Sequence, residues 1–438
     1  MQDFNDQQMQ KLIQELNQIE VPKDALQIAR NEGSRKYQKT KRKKHHFFTA
    51  ASIVALLTLF FVTCIRLSPT FAQTIEKIPG FAPLVEMIRF DKGVKDILKQ
   101  DYYETLNITE TKNDLTFTLL GTVADESGMI LFYQVEAPYD ISRLKTEKAN
   151  LLQNGKEVKK ASISYGWTSG PKSKTIKNKI EIVSNNSISY DHPNFELNLS
   201  FDDSNQTKFS IPFTLQKQIQ PTKTYNLNEN PRVDGQMIHL KKLKISPLRA
   251  EIQLAADKNN TQEILRIGTA KLIDENGEKW GNIVNGTSGF GSLSDGDFSL
   301  FIQSNYFRKP KELTLILDNV EALPKGEEYI VVDFKKKKIL NKPKLAKLDF
   351  SFYSPDTIAV KYRTKDTSVI NHFFSSAVDA QNKTFNLESS SSSFSENESF
   401  IQTTYSFDAN KMQNPVRIYF DSYPNYLDGK VKMKIPLK

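Results

Sequence analysis

Leu115 to Val135 reads LTFTLLGTVADESGMILFYQV, and its rhythm decides the fold class. Leu115-Thr116-Phe117-Thr118-Leu119 alternates apolar with polar, the period-two pattern of a strand with one buried face. Asp125-Glu126-Ser127-Gly128 has turn chemistry, and Met129 to Val135 resumes as a second strand. The same alternation returns in Phe195-Glu196-Leu197-Asn198-Leu199. Further strands are expected at Ile180 to Val183, Phe209 to Thr214, His239 to Ile245, Glu251 to Leu254 and Leu313 to Leu317. Many short strands separated by Asn/Asp/Gly/Ser turns imply β-sandwiches, and at ~100 residues each three should fit.

Weak internal repetition agrees with three units. Ser246-Pro247 and Ser354-Pro355 each precede a strand, and Pro310 to Leu315 is matched in pattern by Pro415 to Tyr419. Lys208 to Phe213 closes the first unit, and Lys432 to Leu437 is read as closing the third. The expected divisions are residues 102–216, 217–341 and 342–438, with Gln216 to Lys223 and Leu340 to Lys347 as boundaries. Ser389 to Ser393 reads as a mobile loop tip, and Lys335 to Lys338 as a charged strand edge.

Ahead of the β region lies FFTAASIVALLTLFFVTCI, Phe47 to Ile65, nineteen residues without a charge. As a helix it would be roughly 28 Å long, against the ~30 Å of a bilayer core. Arg35 to His46 precedes it with seven Lys or Arg and no acid. Flanking cations stay on the cytoplasmic side. The reading is one span over 47–66, a cytoplasmic N-terminal segment over 1–46 and an extracellular C-terminal part. The alternative is a secretory signal with cleavage after Ala72. Cys64, the only cysteine, falls in the span, so no disulfide can form outside it. The net charge is +9, mild for this length. Residues 67–101 should form short juxtamembrane helices beneath the first β unit.

Within residues 1–46, Phe4, Met9, Leu12, Ile13, Leu16 and Ile19 recur near one-turn spacings, an amphipathic helix that Val21-Pro22 ends. So short a helix is marginal alone, and its apolar face needs a cover. Its other face carries Asp3, Asp6, Glu15 and Glu20 against only Lys11, which anionic lipid would repel. A protein with a hydrophobic groove is the sharper reading, and a tail with no partner the plainer one. The basic run suits anionic headgroups better than nucleic acid.

No catalytic motif is legible. The five histidines include no HExxH, and neither Gly-x-Ser-x-Gly nor a phosphate-binding glycine loop occurs. Asp274-Glu275-Asn276-Gly277 is read as a hairpin turn rather than a calcium loop. Trp167 and Trp280 are read as packed or half-exposed strand residues rather than ligand platforms. The expectation is a non-enzyme with no cofactor or metal.

Ser68-Pro69-Thr70-Phe71-Ala72, Ile78-Pro79-Gly80 and Asp91-Lys92-Gly93, directly after the uncharged stretch, resemble a membrane-anchored family of low-GC Gram-positive bacteria. Tyr225 through Leu243-Lys244-Ile245-Ser246-Pro247 to Asp274-Glu275-Asn276-Gly277 is similar to the immunoglobulin-like domain that often follows in that family. The resemblance covers about Ser68 to Leu340. It implies immunoglobulin-like β-sandwiches and an anti-sigma factor that restrains an extracytoplasmic-function sigma factor. The sigma-binding residues would then be Phe4, Met9, Leu12, Ile13, Leu16 and Ile19, with envelope signals received by the β domains. The His/Cys zinc motif of one anti-sigma class is missing, so such binding would be zinc-free. A surface protein that contacts wall polymer or a neighbouring protein is the alternative function.

Overall fold

The computed structural model describes residues 9–15, 27, 31–32, 92–100, 102–166, 171–283, 287–364, 372–395 and 399–437. The chain divides into two compact units, Met1–Gln73 and Thr74–Lys438. In the first, residues 9–15 are helical. The expected span over 47–66 lies outside the described residues, among which no helix is long and apolar enough to cross a membrane.

The second unit is mainly β, and its sheets are antiparallel. Alternating side chains sort each strand into a buried and an exposed face, so sheets pair over shared apolar layers. In the first pair, one sheet runs in the order Glu104–Lys112, Leu115–Asp125, Gly128–Glu136, Thr175–Ser184, Ala161–Tyr165. It faces Lys156–Glu157, Thr146–Gln153, Asn194–Phe201, Lys208–Thr214. Leu119, Leu131 and Ile180 meet Leu151, Leu197 and Ile211 between the layers. The turn expected at residues 125–128 joins the second and third strands, its two flanking residues paired across it.

The second pair sets Lys223–Glu229, Gln236–Ile245, Arg249–Ala256, Asp297–Gln303 and Gly289–Ser292 against Lys279–Trp280, Gln262–Asp274, Leu313–Pro324 and Val431–Lys434. Ile238, Ile252 and Ile302 pack on Ala270, Leu315 and Leu317. In the third pair, Lys338–Asn341, Tyr329–Asp333, Val416–Phe420, Phe374–Val378 and Thr384–Asn386 form one sheet. Asp349–Ser354, Thr357–Arg363, Phe400–Ser406 and Ser389–Ser395 form the other. Phe374, Ile418 and Val360 belong to its core.

Four expectations change. Tyr329–Asp333 and Lys338–Asn341 lie in the third sandwich, so its chain begins before residue 342. Val431–Lys434 pairs with Leu313–Pro324 in the second sandwich instead of closing the third, because the free edge that accepts it is there. Ser389–Ser395 is an edge strand paired with Phe400–Ser406, its backbone hydrogen bonds supplying the order its small side chains do not. Lys335, Lys336 and Lys337 lie exposed in the turn between two strands, where Lys336 pairs with Asp333 at 3.7 Å.

Candidate functional site: the joint between the first and second sandwiches

Of the six residues proposed to hold a partner, Met9, Leu12 and Ile13 are described. They stand on the helix of residues 9–15 with exposures of 57%, 56% and 51%. Phe4, Leu16 and Ile19 lie outside the described residues. Met9, Leu12 and Ile13 are thus three exposed apolar side chains within one described helical stretch.

The densest polar arrangement is elsewhere, where the first sandwich meets the second. The helix Lys92–Lys99 leads into it. It rests on the second sandwich, not beneath the first as expected. A Cβ on Gly93 would come within 2.9 Å of the Ser304 backbone nitrogen, so only glycine allows that approach. Asp96 is buried and accepts two hydrogen bonds from Arg308, at 2.8 Å from Nε and 2.9 Å from Nη2. Lys92 pairs with Glu278 at 2.9 Å and lies over the Trp280 ring. Trp280 is fully buried, the packed of the two states expected for it, and Trp167 lies outside the described residues.

Beyond the helix, Tyr102 hydrogen-bonds both ways. Its hydroxyl donates to the Ala124 carbonyl at 2.9 Å and accepts from the Gln220 N–H at 3.0 Å. Burial pushes its phenol up to about 12. Thr222 donates its backbone N–H and its hydroxyl to Glu126, while Tyr306 donates to the Pro221 carbonyl. Residues 216–222, expected as a linker, are therefore tied down along both sandwiches.

At the centre sits a buried charge cluster. Asp125 ends its strand with one carboxylate oxygen accepting from the Ser127 N–H and hydroxyl, at 2.7 and 2.6 Å. The other oxygen accepts the Leu248 N–H of the second sandwich at 2.7 Å. Burial raises its pKa above the ordinary carboxylate range, and Arg249 together with those donors pulls the other way. Arg249, 2% exposed, reaches Glu181 of the first sandwich at 3.4 Å and lies over Phe301. Its Nε and Nη1 have no hydrogen-bond partner. Tyr190 closes the cluster by donating to the Asp125 carbonyl at 2.7 Å.

This cluster is built to clamp. Each carboxylate is occupied by donors, and its cation faces a carboxylate across the joint. Among the described residues no group of three or more His, Cys, Asp or Glu could hold a metal ion. Asp274-Glu275-Asn276-Gly277 forms the expected hairpin turn, with Asp274 Oδ1 accepting the Asn276 and Glu278 N–H groups and Gly277 at φ +76°. The sequence signalled Asp125 only as a turn residue. Arg249 gave no signal, because the face it occupies becomes buried only when the first sandwich covers it.

Two family models match this chain. Residues 39–137 match a domain of unknown function, DUF4179, and residues 222–350 match a family of unknown function, DUF5643. The first match runs from the basic segment through the uncharged stretch into the first sandwich. Asp125 and Leu248, which meet at the joint, fall one in each match. Nothing among curated proteins matches. Among solved structures, a conserved domain protein from Bacillus anthracis is similar at 14% identity over 55% of this chain and 84% of its own, with a TM-score of 0.38. A cycloalternan-forming enzyme from Listeria monocytogenes is similar at 10% identity over 68% of this chain and 29% of its own, with a TM-score of 0.15. TM-scores this low do not establish a common fold.

Proposed function

We propose that the chain is a single-pass membrane regulator of the anti-sigma type. Its N-terminal helix would hold an extracytoplasmic-function sigma factor inside the cell, and its β domains, taken as extracellular and immunoglobulin-like, would receive an envelope signal. The observation that carries this reading is the uncovered apolar face of Met9, Leu12 and Ile13. An amphipathic helix gains stability mainly by laying its apolar face against a cover such as a partner's groove. Further support comes from the charge-free Phe47 to Ile65 behind a basic run, and from the DUF4179 match that spans both.

Changing Leu12 and Leu16 to Asp in the full-length chain tests the reading. The expected result is activation of a sigma-dependent promoter and loss of the sigma factor from pull-downs. An unchanged promoter with a normally expressed variant would refute it. A second reading is a cell-surface binding protein whose inner segment is only an anchor. It is favoured by the open, lysine-lined groove of the first sandwich, and it predicts no transcriptional response to the same change.

A further inference from the structure

An open groove of about 600 Å³ lies along the sheet formed by Thr146–Gln153, Asn194–Phe201 and Lys208–Thr214. Strand register arranges its polar residues in two cross-strand rows. Lys148 pairs with Ser200 and Ser200 with Lys208. Asn150 pairs with Asn198 and Asn198 with Ser210. Their neighbours Leu151, Leu197, Leu199, Phe209 and Ile211 are core residues, so both rows belong to the outward face. Adjacent strands lie ~4.8 Å apart, which puts the Lys148 and Lys208 backbones about 10 Å from each other. The rows themselves are about 7 Å apart.

The chemistry of the two rows differs. Lys148 and Lys208 are exposed, and neither has an ion-pair partner among the described residues. Lys112 adds a third ammonium, 3.2 Å from the Lys208 carbonyl and paired with Glu110. No carboxylate lines the groove. Ser200 donates its hydroxyl proton to Glu147 at 3.4 Å and Ser210 to Glu196 at 2.7 Å. The exposed Ser210 oxygen therefore presents lone pairs, not a proton, to anything bound above it, while Ser200 is buried beneath the groove. Asn150 Oδ1 is buried with no partner, so a rotation that brings it out to an incoming donor breaks no hydrogen bond.

We propose that this groove binds a hydroxyl-rich polymer bearing anionic groups, a polyol or sugar chain with phosphate or carboxylate. The lysines call for acceptors with negative charge, while the serine and asparagine oxygens call for hydrogen-bond donors, which a hydroxyl-rich chain supplies at every residue. An acidic polypeptide satisfies the first demand with its side chains and can meet the second only with backbone N–H groups. The central strand Asn194–Phe201 is paired on both sides, so a peptide cannot add to it as a further strand. The proposal goes beyond the regulator reading and does not need a sigma factor, so either can fail alone.

The test is equilibrium binding of the purified full-length chain to four probes: poly(glycerol phosphate), polygalacturonate, neutral dextran and polyglutamate. Binding to either or both of the first two, at least tenfold tighter than to the last two and weakened by added salt, is expected. Which of the two binds better separates phosphate from carboxylate. The variant Lys148→Gln/Lys208→Gln should bind at least tenfold more weakly while unfolding at the wild-type temperature. Ser210→Ala should weaken binding without altering its salt dependence. Equal binding of polyglutamate or dextran, no binding to any probe, or full affinity in the double-lysine variant would overturn the proposal.

Discussion

Arg249→Met puts the charge cluster of the joint to its hardest trial. Arg249 and Glu181 are 2% and 7% exposed, so each is desolvated. Breaking a buried pair by deleting one partner costs about 3–5 kcal/mol. Two features of this site lower the figure. Lys179 stays 4.0 Å from Glu181 and shields part of its charge. The two guanidinium nitrogens without partners leave with the side chain, returning about 1 kcal/mol or more. Methionine keeps the apolar stem against Phe301. The expected net loss is about 2–3 kcal/mol. If the two sandwiches that share the joint unfold together, a size of about 150–250 residues, that is a fall in Tm of about 4–12 °C. The assay is urea and thermal unfolding followed by fluorescence in a Trp167→Phe background, so that Trp280 alone emits. The pH dependence gives an independent check. The folded-state pKa of Asp125 is raised, so its contribution is fully present below the ordinary value near ~4 and is lost as pH rises through the folded value. Removing Arg249 raises that value further. The deficit of the variant should therefore be largest at neutral pH and narrow toward pH ~4. A loss below about 1 kcal/mol, or a deficit that does not change with pH, would refute the assignment of a charge clamp.

Three further outcomes are expected. Gly93→Ala would push a methyl group into the Ser304 backbone, costing about 1–3 kcal/mol and speeding amide exchange in Lys92–Lys99, as read by hydrogen exchange. Arg308→Ala leaves Asp96 without its two donors; because Arg308 is 40% exposed, the loss should be about 1 kcal/mol, measured by urea midpoint. Glu321 accepts from the Ser422 hydroxyl and the Tyr423 N–H, and burial raises its pKa. Glu321→Ala would strand both donors and cost about 2–3 kcal/mol, whereas Glu321→Gln keeps an acceptor and should abolish that residue's share of the stability lost as pH rises above the carboxylate range.

Alternation made the interior strands readable. Leu115 to Leu119 and Phe195 to Leu199 announce one buried face, and the structure places both in the first core. What periodicity could not convey was partnership. Val431–Lys434 is apolar enough to be recognised as a strand, yet nothing local says that its neighbour is Leu313–Pro324 rather than a strand of its own unit. Ser389–Ser395 lacks alternation altogether, since an edge strand can be held by backbone hydrogen bonds alone. The joint was opaque for a related reason. Asp125, Glu181 and Arg249 look like surface charges until two sandwiches bury them together. The groove was hidden because its rows join three strands by register, which no single segment displays.

The path of the chain through the second sandwich has a practical corollary. Residues leave it at the end of Leu313–Pro324 and re-enter before Val431–Lys434, and the two crossing points touch: Ala322 N–H bonds the Asn425 carbonyl and Leu427 N–H bonds the Val320 carbonyl. The third sandwich is thus a cassette spliced into its neighbour through adjacent doorways. Such an insert can be swapped or enlarged through a short bridge as long as Leu265, Leu323 and Glu321 of the host keep the cover it gives them. Trimming the chain back from Phe420 does the opposite, sparing most of the insert and tearing a strand from the host.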